Sequence, residues 1–206
     1  MPTRLIIFDC DGVLFESEAA NLAFYNEVLR RAGQGPVPAL VEIACHTLAS
    51  TDLYEQMFGD QPEVLSRVRE VAQQVDYGPF YELMTPRPHL REILGGLRAH
   101  YRLAMATNRG RTAQGVLDRF RLEPYFELTV GALDVPRPKP HPDMLLRCLE
   151  HFGVEPSEAV YVGDQPTDAA AADAARVRFV AMGEAVDAAR SRIVNLDELP
   201  LWLTRA

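Results

Sequence analysis

The sequence predicts an α/β fold whose core is a doubly wound, Rossmann-like parallel sheet, with an all-helical domain inserted into that core. Short apolar, β-prone runs alternate with longer amphipathic stretches, which is typical of βαβ units in a sheet that is covered on both faces. After the first run, this alternation stops for 68 residues of helix-like sequence. The length of 206 residues is enough for both parts.

The predicted strands and helices of the core alternate along the chain. Five apolar runs are the predicted strands, at Leu5 to Phe8, Leu103 to Ala106, Leu128 to Val130, Val160 to Val162 and Phe179 to Ala181. Amphipathic patterns between them predict helices at about 87–99, 111–121, 141–152 and 167–176. Because helices connect successive strands, we expect the strands to run parallel.

The helical insertion is predicted at residues 17–84, which leaves residues 1–16 and 85–206 for the core. Amphipathic sequence predicts its helices over Ala19–Ala32, Ala39–Met57 and Pro62–Val75. The turn at Asp11-Gly12 and the prolines of Thr85-Pro86-Arg87-Pro88 mark its edges, because a residue before proline disfavours helix. The insertion contains ten acidic and four basic residues, so most of the net charge of −8 lies there.

Composition excludes several classes of function. A net charge of −8 argues against general binding to nucleic acids or anionic membranes, which both need a basic surface. No uncharged apolar stretch reaches the length of about 18 residues that a membrane span needs, and residues 1–15 do not resemble an export signal. Cys10, Cys45 and Cys148 are odd in number and far apart, which predicts reduced thiols and a cytoplasmic location.

Two carboxylates follow the first predicted strand, in the sequence Asp9-Cys10-Asp11-Gly12. Side chains alternate along an extended chain, so Asp9 and Asp11 leave the strand on the same side. Open α/β sheets bind ligands at this edge, outside the carboxyl ends of their strands. For this motif by itself, the alternative interpretation is an ordinary turn rich in Asp and Gly.

A second acidic pair, Asp164 and Asp168, lies at the end of the fourth predicted strand. If that strand is a neighbour of the first, the two pairs lie close together. Hard oxygen ligands and water suit Mg²⁺, which binds through few protein carboxylates. The alternative for each aspartate is an N-cap of the following helix.

Two more segments offer groups that bind phosphate. Thr107-Asn108 follows the second predicted strand and supplies a hydroxyl and backbone N–H groups at a strand-to-helix turn. Lys139 is the single lysine of the chain and lies in a proline-rich segment, Pro138 to Asp143. An isolated lysine is usually a solvated surface charge. Here, however, every other basic residue is arginine, and a compact ammonium does work that the planar guanidinium does not.

The motifs, taken in chain order, resemble those of the haloacid dehalogenase superfamily of phosphohydrolases. They are Asp9-x-Asp11-Gly12-Val13-Leu14, Thr107-Asn108, Lys139-Pro140-x-Pro142-Asp143 and Gly163-Asp164-x-x-x-Asp168. With a helical cap inserted after the first motif, the whole chain is similar to the phosphoglycolate phosphatase and β-phosphoglucomutase-like branch. The chain departs from the usual pattern at Glu16, Gln165 and Arg176, where the superfamily usually has Asp, Ser and Gly.

The resemblance implies a role for each of these residues. Asp9 would be the nucleophile that forms an aspartyl-phosphate, and Asp11 would be the general acid and base. The implied Mg²⁺ ligands are Asp9, the backbone carbonyl of Asp11, and Asp164, with Asp168 in support through water or Lys139. The implied phosphate-binding groups are those of Gly12, Thr107, Asn108 and Lys139, of which Thr107 and Lys139 also stabilise charge during catalysis.

The implied function is Mg²⁺-dependent hydrolysis of a small phosphorylated metabolite. The dehalogenase branch lacks the aspartate that stands here as Asp11, and the phosphonatase-like branch needs a cap lysine, which residues 17–84 do not contain. The mutase branch typically has a His near the position of Asn21 and a basic residue early in the cap, which this chain fits poorly. Because the cap offers only four arginines and His46 as cations, we expect a sugar or polyol phosphate as substrate. The alternatives are a phosphoglycolate phosphatase or pyrophosphatase, a β-phosphoglucomutase-like mutase, and a non-catalytic phosphate-binding module.

Overall fold

The structure is a computed structural model that describes residues 2–186, 189 and 191–205. The chain folds into two compact units. The larger unit consists of Met1–Glu16 and Pro86–Ala206, and the smaller unit is the segment Ser17–Thr85. Among the described residues, no helix has the length and apolar character needed to cross a membrane.

The larger unit is built on a parallel sheet, which confirms the predicted fold class. The strands of the chain are β1 Leu5–Phe8, β2 Phe15–Glu16, β3 Thr85–Pro86, β4 Arg102–Thr107, β5 Leu128–Gly131, β6 Ala159–Gly163, β7 Arg178–Met182 and β8 Arg192–Ile193. Within the described residues, the main sheet has six strands in the order β5-β4-β1-β6-β7-β8, with parallel pairings throughout, and β2 pairs with β3.

The strand order places β1 at the centre of the sheet, between β4 and β6. All four residues of β1 are fully buried, as expected for a strand that is covered on both faces. Phe8 lies opposite Met105 of β4 and Val162 of β6 in the register, so all three strands end at the same edge. The chain continues from β1 to β4 and β5 on one side of β1 and then crosses from β5 to β6 on the other side. Such a switch point is where α/β sheets bind ligands.

In the larger unit, one helix precedes each of the strands β4 to β7, and a fifth helix follows β8. They span Leu90–Arg98, Ala113–Phe120, Asp143–Phe152, Pro166–Ala175 and Leu199–Arg205. Four of them fall within the predicted helices or one residue outside, whereas Leu199–Arg205 and strand β8 were not predicted from the sequence. Arg176 stands where a helix-ending glycine is usual, and it adopts the left-handed conformation, with φ of 58°, that ends the helix Pro166–Ala175.

The smaller unit is helical, but one of its predicted helices is wrong. Its α-helices span Glu18–Arg31, Ala44–Thr47, Ser50–Phe58 and Pro62–Gln74, and 3₁₀ turns span Ala39–Val41 and Gly78–Leu83. The helix predicted over Ala39–Met57 is broken because Leu48 and Ala49 are extended, with ψ of 154° and 147°. The break allows Cys45 and Leu53 to contribute to the same apolar core as Val28 of the first helix.

Candidate active site

Polar side chains from three central strands converge at the carboxyl edge of the sheet. Asp9 directly follows β1, and its backbone N–H donates a hydrogen bond to the carbonyl of Val162 at 2.9 Å. Thr107 is the last residue of β4, and Asp164 follows the last residue of β6. Each of these three side chains therefore belongs to the last residue of a strand or to the residue directly after it.

Lys139 lies at the centre of this group of side chains. Its Nζ lies 2.8 Å from Oδ1 of Asp9, 2.7 Å from Oδ1 of Asp168 and 2.9 Å from the hydroxyl of Tyr161. Burial by itself would lower the pKa of Lys139, but the carboxylates of Asp168 and Asp9 outweigh this effect and raise the pKa above its ordinary value. The structure therefore buries the single lysine as a cation, and the interpretation as a solvated charge is wrong for this residue.

Asp168 orients Lys139 and the loop that follows β6. It is fully buried, and its Oδ1 accepts hydrogen bonds from Lys139 and from the hydroxyl of Tyr161, the latter at 2.7 Å. Its Oδ2 accepts hydrogen bonds from the backbone N–H groups of Asp164 at 3.1 Å and Gln165 at 3.0 Å. Both oxygens are thus occupied by donors. The N-cap of the helix Pro166–Ala175 is Gln165, so the N-cap interpretation is wrong for Asp168, whose carboxylate instead accepts a hydrogen bond from the N–H of that N-cap residue.

Tyr161 is a member of this network that the sequence analysis missed. It is fully buried in β6, and burial together with the neighbouring Asp168 carboxylate raises its pKa well above the ordinary value. The hydroxyl therefore stays protonated and can donate to Asp168. In the sequence it is one aromatic residue in an apolar strand, so no local signal separates it from the core.

Asn108 fixes the backbone on which Lys139 is carried. Its Oδ1 accepts a hydrogen bond from the N–H of Lys139 at 3.0 Å, and its Nδ2 donates to the carbonyl of Lys139 at 3.1 Å. The neighbouring Thr107 is buried, and its Oγ1 accepts a hydrogen bond from the N–H of Arg109 at 3.2 Å. These contacts order the two loops, and the phosphate contacts of Thr107 and Asn108 stay predictions.

The carboxylates at this edge form a group that could hold a metal ion. One oxygen each from Asp9, Asp164 and Asp168 lie within 4.8 Å of one another. Oδ1 of Asp164 is buried and accepts no hydrogen bond from the described residues. Three carboxylates face one ammonium, so the site has an excess of negative charge that a bound cation would offset. Oxygen donors of this kind fit Mg²⁺.

The pKa values at the site show the cost of this excess charge when no cation is bound. Burial and the Asp168 carboxylate raise the pKa of Asp164 to about 7 from its ordinary value of 3.8. Burial also raises the pKa of Asp9 well above its ordinary value, although Lys139 opposes the shift. A cation that binds here would favour the ionised form of both groups.

Gly12 allows the loop after β1 to approach Asp164. Its φ is +77°, a conformation that favours glycine, and a Cβ at this position would lie 2.1 Å from Oδ2 of Asp164. The carbonyl of Gly12 accepts a hydrogen bond from the guanidinium of Arg87 at 2.6 Å. The glycine of the first motif is thus required by the close approach of the first and fourth motifs.

Asp11 is held by an arginine that the site prediction did not include. Nε of Arg109 donates to Oδ2 of Asp11 at 2.8 Å, and NH2 donates to Oδ1 at 2.6 Å. The side chains are 5% and 13% exposed, respectively. Such a two-point contact is the geometry in which guanidinium and carboxylate bind each other most strongly.

We expect Asp164→Asn to stabilise the chain when metal is removed by a chelator, because the buried charge at this position disappears. The cost of that charge is absent below the ordinary pKa of 3.8, grows as the pH rises and is complete above about 7. The expected gain in the free energy of unfolding at pH 8 is about 1–3 kcal/mol. It is measured by urea denaturation, and the gain should shrink as the pH is lowered from 8 toward 5. A gain that is independent of pH, or a loss at pH 8, would contradict the charge argument.

The fold and this site define a hydrolase of the haloacid dehalogenase-like class, and the sequence comparison shows the same. Residues 6–182 match the model of the haloacid dehalogenase-like hydrolase family, and the chain belongs to that family. The match begins at the second residue of β1, includes the insertion and ends at the last residue of β7.

Curated proteins with similar sequences include two phosphoglycolate phosphatases. The phosphoglycolate phosphatase of Pseudomonas putida is 29% identical over 212 residues, which cover 95% of this chain and 77% of that protein. The phosphoglycolate phosphatase of Nitrosococcus oceani is 27% identical, over 87% of this chain and 83% of that protein. These relatives confirm the branch that the motifs resemble.

Solved structures agree with the fold. A subfamily IA hydrolase of this superfamily from Geobacter sulfurreducens has a TM-score of 0.76 and 35% identity, covering 98% of this chain and 96% of that one. A β-phosphoglucomutase from Clostridium difficile has a TM-score of 0.84 at 17% identity, covering 98% of this chain and 96% of that one. At that identity the second likeness shows the fold alone.

Proposed function

We propose that this chain is a Mg²⁺-dependent phosphatase that hydrolyses small phosphomonoesters through a phosphoryl group carried on Asp9. The observation that carries the proposal is the pairing of Asp9 with the buried Lys139 cation, at 2.8 Å, beside two further carboxylates at the carboxyl edge of the sheet. The family, and the phosphatase relatives that cover most of the chain, support the same class of reaction.

In the first step, an Oδ atom of Asp9 attacks phosphorus while the bond between phosphorus and the leaving oxygen breaks. The leaving oxygen takes a proton from the carboxyl group of Asp11 and departs as an alcohol. Asp9 then carries the phosphoryl group as an acyl phosphate. Lys139, and the hydroxyl of Thr107 with the amide of Asn108, are proposed to bind the phosphoryl oxygens as charge redistributes among them.

In the second step, water attacks the phosphorus of the acyl phosphate and the bond to Asp9 breaks. The carboxylate of Asp11 takes a proton from that water, so Asp11 returns to its starting state and inorganic phosphate leaves. Over one cycle, Asp11 therefore gives one proton to the leaving oxygen and recovers one from the attacking water. Asp168 acts through Lys139, whose ammonium it holds at 2.7 Å.

Mg²⁺ would be held by Asp9, Asp164 and the backbone carbonyl of Asp11, with Asp168 in support, and would supply charge neutralisation between the phosphoryl group and the carboxylates. Asp164 contributes the buried oxygen that accepts no hydrogen bond from the described residues. We also propose that residues 17–84 act as a cap on the core of residues 1–16 and 85–206, because a water-excluding lid suits this chemistry.

The substrate we favour is a sugar or polyol phosphate. Every arginine of Ser17–Thr85 lies within ion-pair distance of a glutamate of the same unit. Arg30 and Arg31 pair with Glu27, Arg67 with Glu70, and Arg69 with Glu55. Because each of these arginines already has a glutamate partner, none is free of a partner to bind a second anionic group of the substrate. This favours a substrate that carries no charged group besides its phosphate. The names of the curated relatives favour phosphoglycolate as the second candidate.

A panel of phosphate esters tests this preference. With Mg²⁺ present, we expect kcat/KM for the best sugar or polyol phosphate to exceed that for phosphoglycolate by about tenfold or more, equivalent to about 1.4 kcal/mol. Phosphate release is measured with and without a chelator. Preference for phosphoglycolate or pyrophosphate over all sugar phosphates would reject the substrate proposal, and transfer of phosphate to a second position of the sugar would indicate a mutase.

A further inference from the structure

Arg109 is fixed from both ends. Its carbonyl accepts a hydrogen bond from the N–H of Ala132 at 2.9 Å, and its N–H donates to Thr107. Gly131 packs so closely that a Cβ there would lie 2.7 Å from the carbonyl of Arg109. At the other end, the guanidinium donates to Oγ1 of Thr112 at 3.4 Å as well as to both oxygens of Asp11. A buried, ordered arginine therefore stands beside the carboxylate that the proposed reaction uses twice.

The two-point contact restrains Asp11 in a way that one hydrogen bond cannot. Two parallel N–H to O bonds fix the plane of the carboxylate as well as its position. Proton transfer requires the carboxyl group to lie within hydrogen-bond reach of the leaving oxygen.

We infer that Arg109 is a positioning residue for Asp11: it holds the carboxylate in the orientation from which Asp11 reaches the leaving group. This inference rests on the proposed function, in which Asp11 protonates the leaving oxygen. Lysine at this position would keep the charge but could not form the two-point contact. If Arg109 orients Asp11 for proton transfer, replacing Arg109 should lower kcat/KM most for substrates whose leaving group must be protonated.

The test compares two substrates with opposite needs. 4-Nitrophenyl phosphate has a leaving group that departs without a proton, whereas a simple alkyl phosphate needs one. The quantity compared is kcat/KM, because it reports the reaction only through the first irreversible step and is independent of later hydrolysis of the acyl phosphate. Mg²⁺ is kept at saturation for every variant.

For Arg109→Gln, we expect kcat/KM to fall about 10–100-fold with the alkyl phosphate and less than about threefold with the aryl phosphate. Arg109→Lys should show the same selective loss at intermediate size, and it keeps the inference testable if the glutamine variant does not fold. Arg111→Gln, at an exposed position two residues along the same loop, is the matched control and should leave both substrates unchanged. Equal losses with both substrates, or no loss with either, would overturn the inference.

Asp11→Asn separates this inference from the proposed function. It should show the same preference for the aryl phosphate, with a larger loss on the alkyl phosphate of about 10²–10⁴-fold. If Asp11→Asn shows that dependence and the Arg109 variants do not, the positioning role of Arg109 fails alone. If Asp11→Asn itself lowers kcat/KM equally for both substrates, the proposed role of Asp11 fails.

Discussion

Asp9→Asn is expected to abolish phosphatase activity, with a loss of four orders of magnitude or more, on the order of what the removal of a catalytic nucleophile causes in other enzymes. The amide is a far weaker nucleophile than the carboxylate, and it removes the negative charge that Lys139 faces at 2.8 Å. The loss should be the same for alkyl and aryl phosphates, since neither leaving group can depart without attack. Phosphate release from both substrates, with Mg²⁺ present, is the measurement.

The control for this variant is Asp173→Asn, which changes the same side chain at an exposed position of the helix Pro166–Ala175. We expect it to keep the activity of the unmodified chain. The comparison also decides between an enzyme and a phosphate-binding module. If the unmodified chain releases phosphate from none of the esters, the binding module is favoured. If Asp9→Asn retains more than about one hundredth of the activity, nucleophilic catalysis by Asp9 is contradicted.

Lys139→Met is expected to lower both stability and activity. The substitution removes the buried cation and leaves Asp9 and Asp168 with an uncompensated charge, which costs about 3–5 kcal/mol when one partner of a buried pair is removed. Loss of the ammonium that is proposed to bind the phosphoryl group should lower kcat about 10²–10³-fold. Urea denaturation in the presence of a chelator measures the first effect, and phosphate release with Mg²⁺ measures the second.

Arg137→Met is the matched control for Lys139→Met. Arg137 lies two residues earlier in the same loop and pairs with Asp143 at 2.8 Å, but its side chain is 59% exposed. An exposed ion pair contributes about 0–1 kcal/mol to stability. This variant should therefore lower the free energy of unfolding by no more than about 1 kcal/mol and leave kcat unchanged. If Lys139→Met were as stable and as active as Arg137→Met, the central place that the structure gives to Lys139 would be contradicted.

The sequence predicted the strands of the core better than the helices of the insertion. Each predicted strand is present. Leu5–Phe8 has the predicted bounds and the other four are longer by one or two residues, because an apolar run in a buried parallel strand is an unambiguous pattern. The helix predicted over Ala39–Met57 is broken in the structure. Amphipathic periodicity does not show where the chain must turn so that both parts reach the same core.

The site could be predicted where its residues follow strand ends and not where they depend on pairing across the sheet. Asp9, Thr107 and Asp164 stand at the carboxyl ends of predicted strands, and a parallel sheet places all such ends at one edge. The two-point contact between Arg109 and Asp11 depends on β4 lying beside β1, which the sequence does not establish. The hydroxyl of Tyr161 is part of the site for the same reason, since only the packing of β6 brings it to Lys139.

The single lysine illustrates the same division. Its uniqueness and the surrounding prolines indicated a constrained position, whereas its partners became evident only in the structure. In the structure its ammonium contacts Asp9 and Asp168, and its backbone N–H and carbonyl are hydrogen-bonded to the side chain of Asn108. Composition identified the residue, and the sheet order determines what it does.

The central claim is that Asp9 carries the phosphoryl group, and the most direct measurement is to trap that species. Asp11→Asn should form the acyl phosphate from 4-nitrophenyl phosphate, which needs no acid, and should hydrolyse it slowly because the base is missing. After an acid quench and proteolysis, mass spectrometry should find one phosphoryl group on the peptide that contains Asp9, and hydroxylamine should remove it. Phosphorylation of any other residue, or turnover by this variant at the unmodified rate with no phosphorylated peptide, would contradict the account.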